Sequence, residues 1–420
     1  MKKQIVGMVL AGGRVDELSV LTAKRPKSAV PVWGMYRFID FVLSNMMHSG
    51  IDAVGVLSQY RPYSLNAHLA NGAPWDFVGR TRELRILSPF RGAEDTDWYR
   101  GTADAVYQNL IFLDHHSPEL VIIASGDHVY SMDYRPLIRQ HLDCKAELTI
   151  ALKQVPRERA PLFGTAVVDR SGRVVTYEEK AAKPAGDLAS LTVYVFNADV
   201  LVDRLHENAA EGRTYQIYSE IIPRMVAEGA RVHGYIFDGY WRYARTLDTY
   251  YAANMDIISP SAPELATWQV RTNLTSGTLG DPAPALFLAG SDTRDSLVCP
   301  GASIAGTVEA SIISPGVIIE AGAVVRNSIV MHHSRICSGA TLDRAVLDKG
   351  VVVGSGARLG ADDGSAPRRR SKATSDLTVV GKGTHIPEGI VIGRGCILHP
   401  DLAERHFTAA KIAAGTTVGP

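Results

Sequence analysis

The sequence predicts an α/β domain built on a mainly parallel sheet, followed by a left-handed parallel β-helix. Three observations carry this. Apolar, strand-like runs alternate with helical stretches from residue 1 to about 255. From about 290, aliphatic residues recur every six positions. Residues 256–290, rich in Pro, Ser and Leu, read as the linker between these two textures.

In the first segment, 1–255, Ile5 to Leu10 is an unbroken apolar run, the pattern of a strand buried on both faces. Ile51–Leu57 and Leu120–Ala124 read the same way, and Phe38–His48 and Ala103–Leu113 read as helices. The first strand runs into Gly12-Gly13-Arg14. A glycine pair there lets the backbone approach an anion and adopt positive φ. Ligands of parallel sheets bind beyond the carboxyl ends of the strands.

In the second segment, 291–420, one aliphatic series is Ile312, Ile318, Val324, Val330, Ile336 and Leu342. Another is Val380, Ile386, Ile392 and Leu398. Each six-residue step is one face of a triangular coil, expected to send one aliphatic side chain inward. Residues 361–376 are polar and break the period, so they read as an exposed loop.

Lys+Arg and Asp+Glu both number 44 in 420 residues, so the formal net charge is zero. That leaves no electrostatic footprint for nucleic acid or an anionic membrane. No apolar run is long enough to span a bilayer. Met1-Lys2-Lys3 leads into a strand and not into a signal peptide, and the four scattered cysteines have neither metal-ligand nor disulfide-scaffold spacing. The expected setting is the cytoplasm, with reduced thiols.

Several segments together carry a resemblance: Val9-Leu10-Ala11-Gly12-Gly13-Arg14, Lys24-Arg25-Pro26-Lys27, Tyr36 to Asn45, Trp98-Tyr99-Arg100-Gly101-Thr102-Ala103 and Ser125-Gly126-Asp127-His128. With the hexapeptide repeats, they make the chain similar to the sugar-1-phosphate nucleotidylyltransferases. The closer match is the bacterial glucose-1-phosphate adenylyltransferase (ADP-glucose pyrophosphorylase) family. The resemblance implies a Rossmann-like nucleotidyltransferase domain before the β-helix. It implies ATP and glucose 1-phosphate as substrates, ADP-glucose and pyrophosphate as products, and Mg²⁺ as cofactor. It further implies service in glycogen or α-glucan synthesis and a tetramer, either of one chain or mixed with a paralogue.

The same resemblance assigns residues. Leu10, Ala11, Gly12, Gly13 and Arg14 form the nucleotide loop. Tyr99 meets the base, with Gly101 and Thr102 opening a helix whose N-terminus faces phosphate. Asp127, just past the strand Leu120–Ala124, matches the metal aspartate, and Lys27 matches the lysine that reaches phosphate. Gly164, Glu179, Lys180 and Ser190 match the sugar-phosphate side. Lys24 matches a position tied to a phosphorylated-metabolite effector.

Three positions depart from the family pattern. Where the family has x-Gly-Thr-Arg-Leu after the glycine pair, this chain has Arg14-Val15-Asp16-Glu17-Leu18. A reversed unit charge ~4 Å from a phosphate, at an effective dielectric of ~20, is worth about 4 kcal/mol. Where the family has Trp-Arg-Asp-Val-Gly-Thr, this chain has Trp241-Arg242-Tyr243-Ala244-Arg245-Thr246, so Tyr243 replaces the second metal aspartate. Arg245, at the glycine position, is a candidate for direct phosphate contact. The stretch Thr214–Pro223 lacks the family's aspartate, and its one carboxylate, Glu220, has no evident role. These departures keep two other readings open: a regulatory subunit of a hetero-oligomer, and an enzyme using another nucleotide.

Overall fold

The computed structural model describes residues 4–13, 15–90, 98–274, 282–361 and 376–419. Two compact units emerge, and the chain passes between them more than once. The first gathers residues up to Gly13, Ile39–Pro62 and Leu69–Trp241; the second gathers Arg14–Phe38, Tyr63–His68 and Arg242 onward.

The first unit is built on nine strands. In chain order these are β1 (Ile5–Leu10), β2 (Ala53–Leu57), β3 (Glu83–Leu87), β4 (Leu120–Ser125), β5 (Leu148–Gln154), β6 (Gly164–Val168), β7 (Val174–Glu179), β8 (Leu188–Asn197) and β9 (Val232–Ile236). The sheet runs β7-β6-β8-β4-β1-β2-β3, with β5 pairing β8 and β9 pairing β5. Strands β4, β1, β2 and β3 are mutually parallel, as expected of apolar runs joined by helical crossovers. The antiparallel β8 joins this half to the rest. The register that matters for chemistry is Leu10 opposite Ser125, because it puts the segments after β1 and β4 side by side at the carboxyl edge.

The helix Phe38–His48 has the bounds expected. Ala103–Leu113, expected as one helix, is two: Thr102–Tyr107 and Leu110–His116. Asn109 makes the break. Its side-chain amide donates to the Ala105 carbonyl and to the Tyr99 hydroxyl, a local competitor to helix hydrogen bonding.

In the second unit, three parallel sheets of six, seven and seven strands wrap one apolar core, giving the left-handed β-helix. Val330, Ile336, Leu342, Val380, Ile386, Ile392 and Leu398 face the core as expected, but before Val330 the inward residues lie one position further on. Ile319 and Val325 are buried, whereas Ile318 is 40% exposed and Val324 is only partly covered. The ladder explains it: Ile313 pairs with Val330, Ile319 with Ile336 and Val325 with Leu342. Each partner falls one position short of three full hexapeptide steps. In these coils one step is therefore a residue shorter than the other two, and a strict hexapeptide register slips by one.

The early segment of this unit is locked by polar contacts. The Trp33 indole N–H donates to the Ala253 carbonyl at 2.6 Å and its backbone N–H to Asn254 Oδ1 at 2.8 Å. The Tyr250 hydroxyl donates to the Pro31 carbonyl, and that of Ser314 to the Gly34 carbonyl. Gly34 has φ +75°, and a Cβ there would collide with Cys299 Sγ. Among the described residues, no helix is long and apolar enough to cross a membrane.

Candidate active site

The loop after β1 is fixed by backbone hydrogen bonds. The Ala11 N–H donates to Leu57, Tyr60 donates to the Gly12 carbonyl, and Gly126 donates to Leu10. Neither Gly12 nor Gly13 takes a positive φ. Gly12 is needed for a different reason: a Cβ would lie 2.7 Å from the Gln59 nitrogen. Among the described residues, chain neighbours apart, the Cβ position of Gly13 meets nothing within 4 Å, which leaves its backbone open to close approach by a ligand. Arg14 lies outside the described residues.

Asp127 stands just past β4, held from two sides. Ser125 Oγ donates to its Oδ1 at 2.5 Å, and His128 Nε2 lies 3.3 Å from the same oxygen. The Trp241 indole N–H donates to His128 Nδ1 at 3.2 Å. An indole N–H only donates, so neutral His128 carries its proton on Nε2, facing Asp127. Oriented carboxylates of this kind are good hard-cation ligands. A single carboxylate fits an ion that retains water and takes further oxygens from substrate phosphates, as Mg²⁺ does.

A second constellation forms where β6, β7 and β8 meet. Gly164 lies opposite Glu179 and Ala166 opposite Tyr177, while Leu188 lies opposite Ala166. Directly paired residues share a face, so Tyr177, Glu179 and, two residues past Leu188, Ser190 present to one side. The β8 register shifts between Ser190 and Tyr194, with Thr192 at φ +52°. This brings the Tyr194 hydroxyl to 3.5 Å from Ser190 Oγ. Burial, with Glu179 nearby, pushes the Tyr194 phenol up to about 12 and the Tyr177 phenol well above its ordinary value. Lys180, at φ +48°, places its ammonium 3.0 Å from Glu179 Oε1 and above the Tyr218 ring.

Tyr99 is anchored: its N–H donates to Gln59 and its hydroxyl accepts from Asn109, while burial pushes the phenol up to about 12. Trp98 beside it is largely exposed. Gly101 and Thr102 are committed to packing. A Cβ on Gly101 would overlap the Tyr215 carbonyl. The N–H groups of Thr102 and Ala103 go to Gln216 Oε1 and the Tyr215 carbonyl. The first donors of that short helix are therefore engaged within the protein. Glu220 belongs to the same corner: it accepts from the backbone N–H groups of Arg213, Thr214 and Tyr215 and from Asn208.

In the second unit, Lys27 is only 1% exposed, and its Nζ sits 4.2 Å above the Tyr243 ring. Glu17 pairs with Arg245 at 2.8 Å. Burial pushes the Glu17 carboxyl up, but the Arg245 hydrogen bond and charge outweigh it, leaving the pKa below the ordinary value. The loop turns at Ser19, φ +52°. Lys24 makes an exposed ion pair with Asp401. Arg25 is nearly inaccessible and binds Asp348 at 2.6 Å, and its Nε has no partner among the described residues. Arg25 and Arg37 together, after burial, push Lys349 and His332 well below their ordinary pKa values.

Residues 6–259 match the family model described as "Nucleotidyl transferase", and 284–380 match "GlmU-like, C-terminal hexapeptide". A protein of Thermomicrobium roseum named glucose-1-phosphate adenylyltransferase is 42% identical, covering 98% of this chain and 97% of its own. A protein of the same name from Thermotoga sp. is 41% identical, with 98% of each chain covered. Another, from Desulfitobacterium hafniense, is 37% identical over 96% of this chain and all of its own. The chain belongs to the glucose-1-phosphate adenylyltransferase family of nucleotidyl transferases.

Against the adenylyltransferase family pattern, the departures at Glu17 and Arg245 prove to be partners. The carboxylate at the arginine position is met by a guanidinium at the glycine position. Arg245 is thus held by Glu17, where the sequence alone made it a candidate for phosphate. Tyr243, at the aspartate position, offers a ring face to Lys27. Sequence reasoning missed His128 and Trp241 as the orienters of Asp127. The His adjacent to Asp127 was the available signal; Trp241 had none, being 113 residues away from His128. It also missed Arg25 and Tyr177, which a single sequence gives no reason to think buried.

Proposed function

We propose that this chain transfers an adenylyl group from ATP to glucose 1-phosphate, releasing pyrophosphate and ADP-glucose for α-glucan synthesis in the cytoplasm. The observation that carries the reading is Asp127: a carboxylate at the carboxyl edge of the sheet, oriented by Ser125 and by a tautomerically fixed His128. It is joined by the near full-length similarity to three proteins bearing that enzyme's name.

A sugar-phosphate oxygen attacks the α-phosphorus in line and pyrophosphate leaves, so the protein's tasks are to position two anions and offset charge. Gly12 and Gly13 offer backbone to the nucleotide phosphates. Lys27, desolvated and backed by Tyr243, is a fixed positive charge for phosphate. Glu179 and Ser190 take sugar hydroxyls and Lys180 the sugar phosphate. Asp127 would hold Mg²⁺, which would supply charge neutralisation at the reacting phosphorus. The cluster of Arg25, Arg37, Lys349 and His332 about Asp348 suits a phosphorylated effector better than Lys24 alone, which is engaged by Asp401. The assembly is a tetramer through the β-helix.

Purified chain with ATP, glucose 1-phosphate and Mg²⁺ should release pyrophosphate, and Asp127→Asn should lower that rate by about a thousandfold with an unchanged melting temperature. A second reading, a regulatory subunit, draws on Glu17 and Tyr243, which put a carboxylate and a phenol where the family has an arginine and a metal ligand. It predicts a silent isolated chain that re-tunes a catalytic paralogue on mixing.

A further inference from the structure

We propose that the Tyr177 hydroxyl reads the sugar, donating a hydrogen bond to one hydroxyl of the bound glucose 1-phosphate and rejecting sugars that lack it. This rests on the sugar site proposed above at Gly164, Glu179 and Ser190.

The argument begins with the strand register. Tyr177 lies opposite Ala166 and Glu179 opposite Gly164, so both side chains rise from the same face of β6 and β7. They converge over Gly164. A Cβ at residue 164 would lie 2.4 Å from the Tyr177 hydroxyl and 2.5 Å from Glu179 Oε2. The glycine is therefore what allows a phenol and a carboxylate to crowd one point of the backbone. Ser190 and Tyr194 contribute two further hydroxyls from β8.

Tyr177 is only 7% exposed, and among the described residues its hydroxyl oxygen makes no hydrogen bond of good geometry, although the Ser190 and Tyr194 hydroxyls are close by. Buried hydroxyls are almost always paired, because leaving one unpaired costs free energy. The fold does not need this one: a phenyl ring would fill the same place in the core that also holds Ala166 and Tyr194. An unpaired donor beside an acceptor carboxylate and two other hydroxyls is the chemistry that recognises a polyol. Each sugar hydroxyl both donates and accepts, and a carboxylate can only accept, so a phenol adds the donor that Glu179 cannot supply. A site built to bond a substrate hydroxyl discriminates against the analogue lacking it, since its own polar group is then left unpaired.

The test is equilibrium binding by calorimetry, on full-length protein with Mg²⁺ and a non-hydrolysable ATP analogue. Glucose 1-phosphate is compared with its 2-, 3-, 4- and 6-deoxy analogues. Tyr177→Phe should weaken glucose 1-phosphate binding about tenfold, the scale of one hydrogen bond. It should leave the melting temperature unchanged. It should also erase the discrimination against one deoxy analogue while keeping it for the other three, a pattern that a general loosening of the site does not produce. In turnover the loss should appear in KM, not kcat. A Tyr177→Phe protein that binds all five sugars as wild type does overturns the proposal alone. A wild type that does not bind glucose 1-phosphate overturns it together with the sugar site. A wild type that binds the sugar but releases no pyrophosphate sinks the reaction assignment and leaves this test standing.

Discussion

Arg245 closes on Glu17 with two donors aimed at one oxygen: Nε at 2.9 Å and Nη2 at 2.8 Å from Oε1. The reversed charge in the loop after β1 is thus neutralised from a segment 228 residues away. The pair is about two-fifths exposed on each side, so it contributes little to stability, on the order of 0–1 kcal/mol.

Its value should appear in nucleotide binding. Arg245→Ala leaves Glu17 uncompensated, and the KM for ATP should rise about tenfold or more. Adding Glu17→Ala to that variant should recover most of the loss, giving a strongly non-additive double-mutant cycle. Additive effects, measured by steady-state kinetics at low salt, would show that the two residues act separately.

Tyr243 is expected to serve Lys27 through its ring and not its hydroxyl. Tyr243→Phe should keep activity near wild type. Tyr243→Leu should lose roughly two- to thirtyfold, the range of a desolvated cation–π contact of ~0.5–2 kcal/mol. Equal losses in the two variants would return the role to the phenol oxygen.

Trp241 fixes the His128 tautomer and so orients Asp127. Trp241→Phe keeps the ring but removes the donor. The expected result is a ten- to hundredfold drop in activity, with the Mg²⁺ concentration for half-maximal rate raised and the melting temperature little changed. An unchanged Mg²⁺ dependence would detach Trp241 and His128 from the metal.

His332 sets a pH dependence. Burial first, then Lys349 and Arg37, holds its folded pKa well below 6.5. The unfolded chain therefore takes the proton first as pH falls. The stability linked to this group is intact above about 6.5 and is lost as pH drops below that value toward the folded pKa. Thermal melts between pH 7.5 and 5.5 should show a decline that His332→Gln reduces. Inorganic phosphate should also reduce it, if an anion settles among Arg25, Arg37 and Lys349. A decline identical in wild type and variant would assign it to other groups.

Much of the fold was legible because it rests on local signals. The β1 run from Ile5 to Leu10 and the helix Phe38–His48 follow from apolar patterning within a few residues. Asp127 was legible because it ends an apolar strand. The hexapeptide period was visible, and so were the inward residues from Val330 on, but not those before it, since a coil such as that from Ile313 to Val330 hides one shortened step among the regular ones. The break at Asn109 depends on a side-chain contact to Tyr99, and the partnership of Glu17 with Arg245 on the fold bringing them together. Neither is written in any window of sequence.

The β-helix ladder also tells where the chain tolerates a change of length. Leu342 pairs with Leu359, a single coil further along, but Leu359 pairs with Ile392, nearly twice as far along the chain. Residues 362–375 lie outside the described residues, within that surplus. The pairing resumes in phase on its far side, with Leu347 opposite Val380 and Val353 opposite Ile386. The ladder on either side thus keeps step across that surplus, apart from a one-residue irregularity at Ala361. A lineage seeking a new contact surface would find there a stretch of sequence free to drift while the scaffold stays in step.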